Sequence, residues 1–345
     1  MASTNLGVAV PTIYDVAQLA RVSPATVSRV INERGNVDAG MAQRVQEAIT
    51  ALGYRPNSLA RSLRRQMAPV WTLIISDIEN PHFTSLIRGV EDAAQAIDHS
   101  VVLCNADEDL TKERRYIEVA IAERAAGVVI SPASDRHSSV DPLLASGIPV
   151  VTIDRRLRNS PVSAVLVDNT SGAQCATAHL LESGYSRVAC ITGPMRTSTA
   201  VQRLGGYRRA LKRAGAPYDP RLVRVSDYKE AGGYEATGAL LAADERPDAL
   251  FVLNSLMTMG ALRCIADAGV RIPDQMGVVG FDDHLWAQLL RPTLSTVAQP
   301  TYDLGRTAAQ LLIEQAESPD TAPRTVTLAT ELLVRESSVR TAAPR

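Results

Sequence analysis

The sequence predicts an α/β chain fronted by a small all-α domain, and three observations carry that prediction. Two short amphipathic segments joined by the three-residue turn Arg21-Val22-Ser23 lie near the N-terminus, in the pattern of a helix-turn-helix. Charge is uneven: through Arg65 there are eight Arg and no Lys against four acidic residues, a balance of +4, so the remainder carries −5 to reach the net −1. After Pro69, apolar runs of strand length alternate with helical segments. The scarcity of Lys, found only at 112, 212 and 229, reflects general composition, but the excess of cations at one end does not. Such an end is suited to a polyanion.

The first helix begins at Thr12, whose hydroxyl and the Asp15 carboxylate three residues on can satisfy each other's orphan amides as a capping box. Ile13, Val16, Ala17 and Ala20 then share one face. Ser23 is a strong N-cap and Pro24 suits the first helical position, so a second helix starts at Pro24 within Val22 to Asn32, VSPATVSRVIN. Its Val27, Val30 and Ile31 make an apolar face. The other sides carry the methyl, hydroxyl, guanidinium and amide groups of Ala25, Thr26, Ser28, Arg29 and Asn32, which are groups that read base edges and hold phosphates. A third helix is capped by Asp38, places Met41, Val45, Ala48, Ile49 and Leu52 at helical spacing, and stops at Gly53. Asn57 can open a further short helix through Arg65, with Ala60, Arg61, Leu63, Arg64 and Arg65 combining basic groups with an exposed apolar one.

Thr12-Ile13-Tyr14-Asp15-Val16-Ala17, the VSPATVSRVIN run, and Leu52-Gly53-Tyr54-Arg55-Pro56-Asn57 followed by Leu59-Ala60-Arg61-Ser62-Leu63 together resemble the headpiece of the lactose/galactose-repressor family of bacterial regulators. The resemblance implies a DNA-binding headpiece over residues 1–56 and a hinge helix with linker over 57–68. It also implies that Tyr14, Ser23, Thr26, Ser28 and Asn32 contact phosphates or groove edges, while Pro24, Ala25 and Arg29 face bases. Arg29 is the candidate for direct readout, because its planar fork can pair with guanine O6 and N7 for about 1–3 kcal/mol of discrimination. By the same resemblance, Asn57, Ala60 and Arg61 belong to a hinge that folds on DNA and pairs with its twin, with Leu63 as a minor-groove wedge. Gly40-Met41 departs from the family's usual polar start of the third helix, so one phosphate contact is expected to be missing.

Beyond Pro69, strands are expected at Val70–Ser76, Val101–Cys104, Val128–Ser131 and Val150–Ile153, with helices at Pro81–Asp98 and Thr111–Ala125. The rhythm restarts with helices at Thr170–Glu182 and Ser198–Ala214 and strands at Val188–Thr192, Leu222–Val225, Ala249–Leu253 and Gly277–Val279. Two such runs fit two doubly wound lobes with a cleft between them. Helix Thr301–Gln315 and a last strand, Glu331–Val334, would carry the chain back across the hinge. The region 69–340 is similar to the periplasmic-binding-protein fold, as the family's effector-binding and dimerisation domain is, and 341–345 forms a tail.

Ligands of open α/β sheets lie beyond the carboxyl ends of parallel strands. Asp154 follows VVTI, Thr197 and Thr199 follow ACITGP, Tyr228 follows VRVSD, Asn254 follows LFVL and Asp282 follows VVGF, with Arg203 on a neighbouring helix. Carboxylates accept from vicinal hydroxyls, guanidinium clamps oxygens, and an aromatic face stacks on a flat ring. The resemblance implies that Arg203, in Gln202-Arg203-Leu204-Gly205-Gly206-Tyr207, and Asp282, in Gly280-Phe281-Asp282-Asp283, are the main effector contacts. Phe83 of Asn80-Pro81-His82-Phe83 would stack from the opposite lobe. Ser255 stands where the family commonly has Asp; it remains a good N-cap, so the helix should survive without that charge.

Catalytic signatures are absent: there is no HExxH, GxSxG or GxxxxGK[ST]. The five His are scattered, His137 and His284 reading as surface or loop residues, and Cys104, Cys175, Cys190 and Cys264 are too separated for a disulfide or metal motif. No cofactor and no metal are expected. A charged start with a long apolar run is missing, as is any stretch of 18 apolar residues, which points to a cytoplasmic protein without membrane partners. The expected function is a homodimeric, ligand-responsive transcription regulator, with repression favoured over activation. Its partners are near-palindromic double-stranded operator DNA and a small effector, a sugar or derivative being favoured and a purine remaining open. The C-terminal tail has no Leu heptads, so dimers without a tetramer-forming coiled coil are expected. A cytosolic carbohydrate-processing enzyme with an appended DNA-binding domain is the alternative.

Overall fold

The computed structural model describes residues 11–31, 37–54, 69–158 and 160–340, and the chain divides between Ala68 and Pro69 into two compact units. In the first unit, helices α1 (Ile13–Ala20), α2 (Pro24–Ile31) and α3 (Ala39–Leu52) share one small core of Val16, Ala17, Ala20, Val27, Val45 and Ala48. Local chemistry sets their ends. Thr12 and Asp15 form the reciprocal capping box, the Asp15 carboxylate accepting from the Thr12 amide at 2.7 Å. Ser23 Oγ accepts from the Thr26 amide at 3.2 Å at the head of α2, and Asp38 caps α3 through the Met41 amide. Arg21 takes a left-handed conformation, φ 55°, which turns the chain from α1 into α2. Met41, expected in the apolar seam, is 41% exposed instead. It sits in the first turn of α3, before the helix closes on its neighbours.

The second unit contains two six-stranded sheets. The first has the order β11-β5-β4-β3-β1-β2, built from β1 (Val70–Ile75), β2 (Ser100–Asn105), β3 (Gly127–Ile130), β4 (Val150–Ile153), β5 (Ser163–Val167) and β11 (Thr325–Leu328), all parallel. The second has the order β12-β10-β9-β8-β6-β7, from β6 (Val188–Thr192), β7 (Val223–Val225), β8 (Ala249–Val252), β9 (Gly277–Phe281), β10 (Ser295–Ala298) and β12 (Glu331–Leu333). It is parallel except that β12 runs antiparallel to β10. Helices α4 (His82–Gln95), α5 (Leu110–Ala122), α6 (Asp141–Ala145) and α12 (Thr301–Glu317) belong to the first lobe. Helices α7 (Asn169–Glu182), α8 (Ser198–Arg213), α9 (Glu230–Leu241), α10 (Ser255–Asp267) and α11 (Leu285–Leu289) belong to the second. Each sheet is apolar on both faces: Leu73, Ile75, Val129, Val151 and Val165 fill one side of the first sheet, and Ile74, Val128, Ile130 and Val150 the other.

The chain crosses between lobes at three places, after β5, after β10 and after β11. The crossings after β5 and β11 are tied together: the Asp168 amide donates to the Leu328 carbonyl at 2.9 Å, and Thr330 Oγ1 donates to the Asp168 carbonyl at 3.3 Å. In the first lobe α4 and α12 pack so closely that a Cβ on Gly305 would lie 2.0 Å from the Leu86 carbonyl oxygen, a distance only glycine permits. The sequence expectations do not include β5, β10, β11 or the helices α6, α9 and α11. The expected hinge helix and linker, 57–68, and the tail, 341–345, lie outside the described residues, as do Asn32, Asn57, Ala60, Arg61 and Leu63.

Candidate functional site

The first unit presents polar and cationic side chains around a buried apolar seam. Val27 of α2 is fully buried, whereas Ser23, Ala25 and Arg29 are exposed and Pro24, Thr26 and Ser28 are half-buried. Tyr14 on α1 is 71% exposed, a large side chain left in solvent by a helix with a well-formed apolar face. Ser23 Oγ and Thr26 Oγ1 lie 3.0 Å apart, so one hydroxyl pair fixes the head of α2 while keeping its remaining lone pairs and proton outward. The described part of the surface can therefore offer hydroxyls, a guanidinium and a methyl on one short helix. These are the groups needed to position phosphates and reach base edges.

In the second unit, a cleft of about 400 Å³ opens to solvent between the two lobes. Of the residues expected from strand ends, Asp154, Tyr228, Asn254 and Asp282 line it, together with Phe83, Thr199 and Arg203. Thr197 does not: its Oγ1 donates to the Pro194 carbonyl and meets Tyr228 Oη at 3.0 Å, so it positions the tyrosine from behind. Thr199 Oγ1 meets the same Tyr228 hydroxyl at 3.0 Å. Gly193 makes room for this arrangement, since a Cβ there would lie 2.1 Å from the Tyr228 ring.

Three of the lining residues adopt left-handed backbone conformations, Asp154 at φ 64°, Tyr228 at 68° and Asp282 at 80°. Non-glycine residues pay about 1–3 kcal/mol for such geometry, and it persists where surrounding structure over-determines it. Here the Asp154 amide donates to the Val165 carbonyl and the Asp282 amide to the Val297 carbonyl, both at 2.9 Å, so each carboxylate is turned out of its sheet into the cleft. Arg203 is anchored by Nε to Asn169 Oδ1 at 2.7 Å and Nη1 to the Leu253 carbonyl at 2.6 Å, with its guanidinium 3.7 Å over the Phe281 ring. Asn254, not Ser255, caps α10, its Oδ1 accepting from the Met257 amide at 2.8 Å. The expectation for Ser255 is corrected accordingly: as the first helical residue it sends its hydroxyl across the cleft to Asn80 Oδ1 at 2.8 Å.

Further groups that the sequence reading did not single out as ligand contacts line the same walls: Asp77, Asn80, His82, Glu108, Arg155 and Gln299. Asp77 and Arg155 could have been found, because one follows β1 after a single serine and the other sits beside Asp154. His82 could not, since its surroundings come from both lobes. The imidazole is 4% exposed, with Nε2 3.9 Å from Asp154 of the first lobe and Nδ1 3.7 Å from Asp282 of the second. Burial pushes the Asp282 carboxyl upward, but His82, Arg203, His284 and the amide of Gln299 outweigh it and hold the group below its ordinary value. At the cleft rim, Lys229 Nζ of the second lobe bonds Asp77 at 2.8 Å and Asp107 at 3.0 Å on the first. Burial lowers its pKa and the two carboxylates more than offset this, leaving the ammonium raised. Ser198 Oγ also reaches across, donating to Asp135 at 3.2 Å. His284, read as a surface or loop residue, lies in the loop after β9 but is half-buried, stacked on Trp286.

Among the described residues no group of three or more His, Cys, Asp or Glu could hold a metal ion, and no helix is long and apolar enough to cross a membrane. The four cysteines are free, Cys175 exposed and the others buried.

Residues 12–57 match the family described as bacterial regulatory proteins, lacI family, and residues 177–338 match the periplasmic binding protein-like domain. The chain is similar to the ribose operon repressor of Halalkalibacterium halodurans, 36% identical over 327 residues that cover 95% of this chain and 97% of that protein. Among solved structures, the transcriptional regulator CelR in complex with cellobiose superposes with a TM-score of 0.73 at 33% identity, covering 95% of this chain and 99% of that one. The Lac repressor dimer bound to operator and the anti-inducer ONPF gives a TM-score of 0.85 at 25% identity, with the same coverage of 95% and 99%. These relatives are transcription regulators and not enzymes, so the reading as a carbohydrate-processing enzyme is set aside. With a headpiece capped and packed as described, two α/β lobes and a cleft between them, the chain belongs to the lacI family of bacterial regulatory proteins, and it is a ligand-responsive, DNA-binding transcription regulator.

Proposed function

We propose that two copies of the chain bind one near-palindromic operator through their N-terminal units as a repressor and that a sugar or sugar-like molecule in the cleft changes operator affinity. One observation carries the proposal: the cleft is walled by residues of both lobes, and Lys229, Ser198 and Ser255 reach from the second lobe to acceptors on the first. A ligand seated there contacts both sheets, and so has different affinity for different lobe arrangements. That difference is the only means by which a ligand can shift an equilibrium. A 100-fold preference corresponds to about 2.7 kcal/mol of coupling. The Lac repressor structure supports the dimeric, operator-bound part of the reading, and the CelR complex supports a saccharide as ligand.

On the DNA side, Arg29 and Ala25 are the proposed base readers, with Tyr14, Ser23, Thr26 and Ser28 on phosphates or groove edges. Leu63 acts as the minor-groove wedge that the family resemblance implies. The test is selection of bound sequences from random duplexes by the full-length chain, followed by titration of the selected duplex with and without candidate sugars. A two-fold symmetric consensus whose affinity responds to one of the sugars is expected. Binding without sequence preference, or a consensus with a single half-site, contradicts the proposal.

A further inference from the structure

Charge and hydrogen-bond capacity along the cleft walls narrow the ligand further. Four carboxylates line it, Asp77, Glu108, Asp154 and Asp282, against two guanidiniums, Arg155 and Arg203. Arg155 makes a two-pronged pair with Glu108 at 2.6 and 2.8 Å and also donates to the Pro132 carbonyl. Arg203 is anchored by neutral acceptors, Asn169 Oδ1 and the Leu253 carbonyl, and keeps further N–H donors for a ligand. The ammonium nearest the rim, Lys229, is held by Asp77 and Asp107. With Glu108 and Asp77 matched in this way, Asp154 and Asp282 face one guanidinium without a carboxylate partner of its own, so an anionic ligand would add charge to a wall where carboxylates already outnumber that cation, and a buried charge without a partner is strongly disfavoured.

The unspent groups tell the same story from the other side. His82 Nδ1 and Nε2, Arg155 Nε and Gln299 Oε1 are buried with no hydrogen-bond partner among the described residues. The Asp154 carboxylate approaches His82 and Arg155 only at 3.9 and 3.6 Å, beyond hydrogen-bond distance. The imidazole offers an N–H donor, Gln299 Oε1 and Asp154 accept, and Arg155 Nε donates. Hydroxyls both donate and accept and can satisfy every one of them. A phosphate or carboxylate only accepts, and would leave acceptors facing acceptors at the cost of unpaired buried groups.

We infer that the cleft selects an uncharged, hydroxyl-rich ligand over its anionic counterparts, and that His82, buried between carboxylates of the two lobes, is the residue that sets this preference. The inference rests on the cleft being the effector site.

The test is calorimetric titration of the full-length chain with D-ribose, D-glucose and cellobiose, each neutral monosaccharide paired with its phosphate (ribose 5-phosphate, glucose 6-phosphate) and glucose also with gluconate. At least one neutral sugar should bind, with its anionic counterparts at least 100-fold weaker. His82→Phe should weaken that sugar at least 10-fold, whereas His82→Asn, which keeps a donor and an acceptor, should retain more of the affinity; melting of each variant without sugar shows that it is folded. A phosphate or acid bound as tightly as the neutral sugar overturns the inference, as does a folded His82→Phe with unchanged affinity, or binding by no neutral member. A tight anion that shifts operator affinity would sink this selectivity alone and leave the regulator reading standing. A bound neutral sugar without effect on operator affinity would do the reverse.

Discussion

The two units of the chain hold the side chains proposed for recognition in opposite environments. In the N-terminal unit Tyr14 is 71% exposed and Ala25 and Arg29 face solvent, while in the cleft Arg203 and Asp282 are 4% and 6% exposed. The difference separates what each region can tolerate. Exposed readers touch little of their own fold, so exchanging them changes recognition and leaves stability almost untouched. The cleft residues are buried polar groups whose partners are also structural: Asp282 accepts from the amide of Ser255 and from Gln299, and Arg203 ties α8 to Asn169 of α7 and to the strand end at Leu253. There, recognition and stability change together.

Four substitutions test that contrast. The largest effect is expected from Val27→Asp, which places a carboxylate in the small core of the first unit where Val27 is 0% exposed. A loss of about 3–5 kcal/mol should unfold that unit and abolish operator binding. Calorimetric melting of the second unit should be unchanged, and a fall in both transitions would show that the two units are not independent. Next is Arg203→Met, which removes charged hydrogen bonds of about 1.5–3 kcal/mol each. Sugar-induced stabilisation should vanish and the unliganded second unit should melt lower, both read by thermal shift; retained sugar binding would remove Arg203 from the site.

Arg29→Ala should relax preference at one base pair per half-site by about 1–3 kcal/mol while altering unit stability by no more than about 0.5 kcal/mol. An unchanged selected consensus would make Arg29 a phosphate contact. The smallest effect concerns pH. The raised Lys229 ammonium contributes stability that is fully present below its unfolded value of 10.5 and is lost as pH rises through the higher folded value. The difference in melting between the parent and Lys229→Met should therefore shrink toward the alkaline end. At the acid end, Asp282 contributes above 3.8 and its contribution fades as pH falls through its depressed folded value. A melting difference for Lys229→Met that does not change above pH 10.5 would mean that the Lys229 latch does not hold the lobes.

Legibility in the sequence followed the same divide. The headpiece helices could be read almost to the residue, because the Thr12 to Asp15 box, the Ser23-Pro24 start and Gly53 are local signals that tertiary packing did not override. The strand-end rule led to Asp154, Tyr228, Asn254 and Asp282 because a parallel sheet delivers its ligand groups at one edge. It misplaced Thr197, which lies one layer behind Tyr228. Helix α9 was missed because Gly232, Gly233 and Gly238 dilute its pattern, while β10 and β11 are four residues each, too short for a clear period. Gln299 went with β10, whose end it follows. His82 is a different case: its meaning arises only when Asp154 and Asp282 are brought to its two sides, and neither is near it in sequence.

If occupation of the cleft changes what the headpieces do on DNA, operator affinity at fixed salt should differ with and without a saturating concentration of the neutral sugar that stabilises the second unit most. A change of about tenfold or more is expected, lost in Arg203→Met. Equal operator affinity with the sugar demonstrably bound would contradict it.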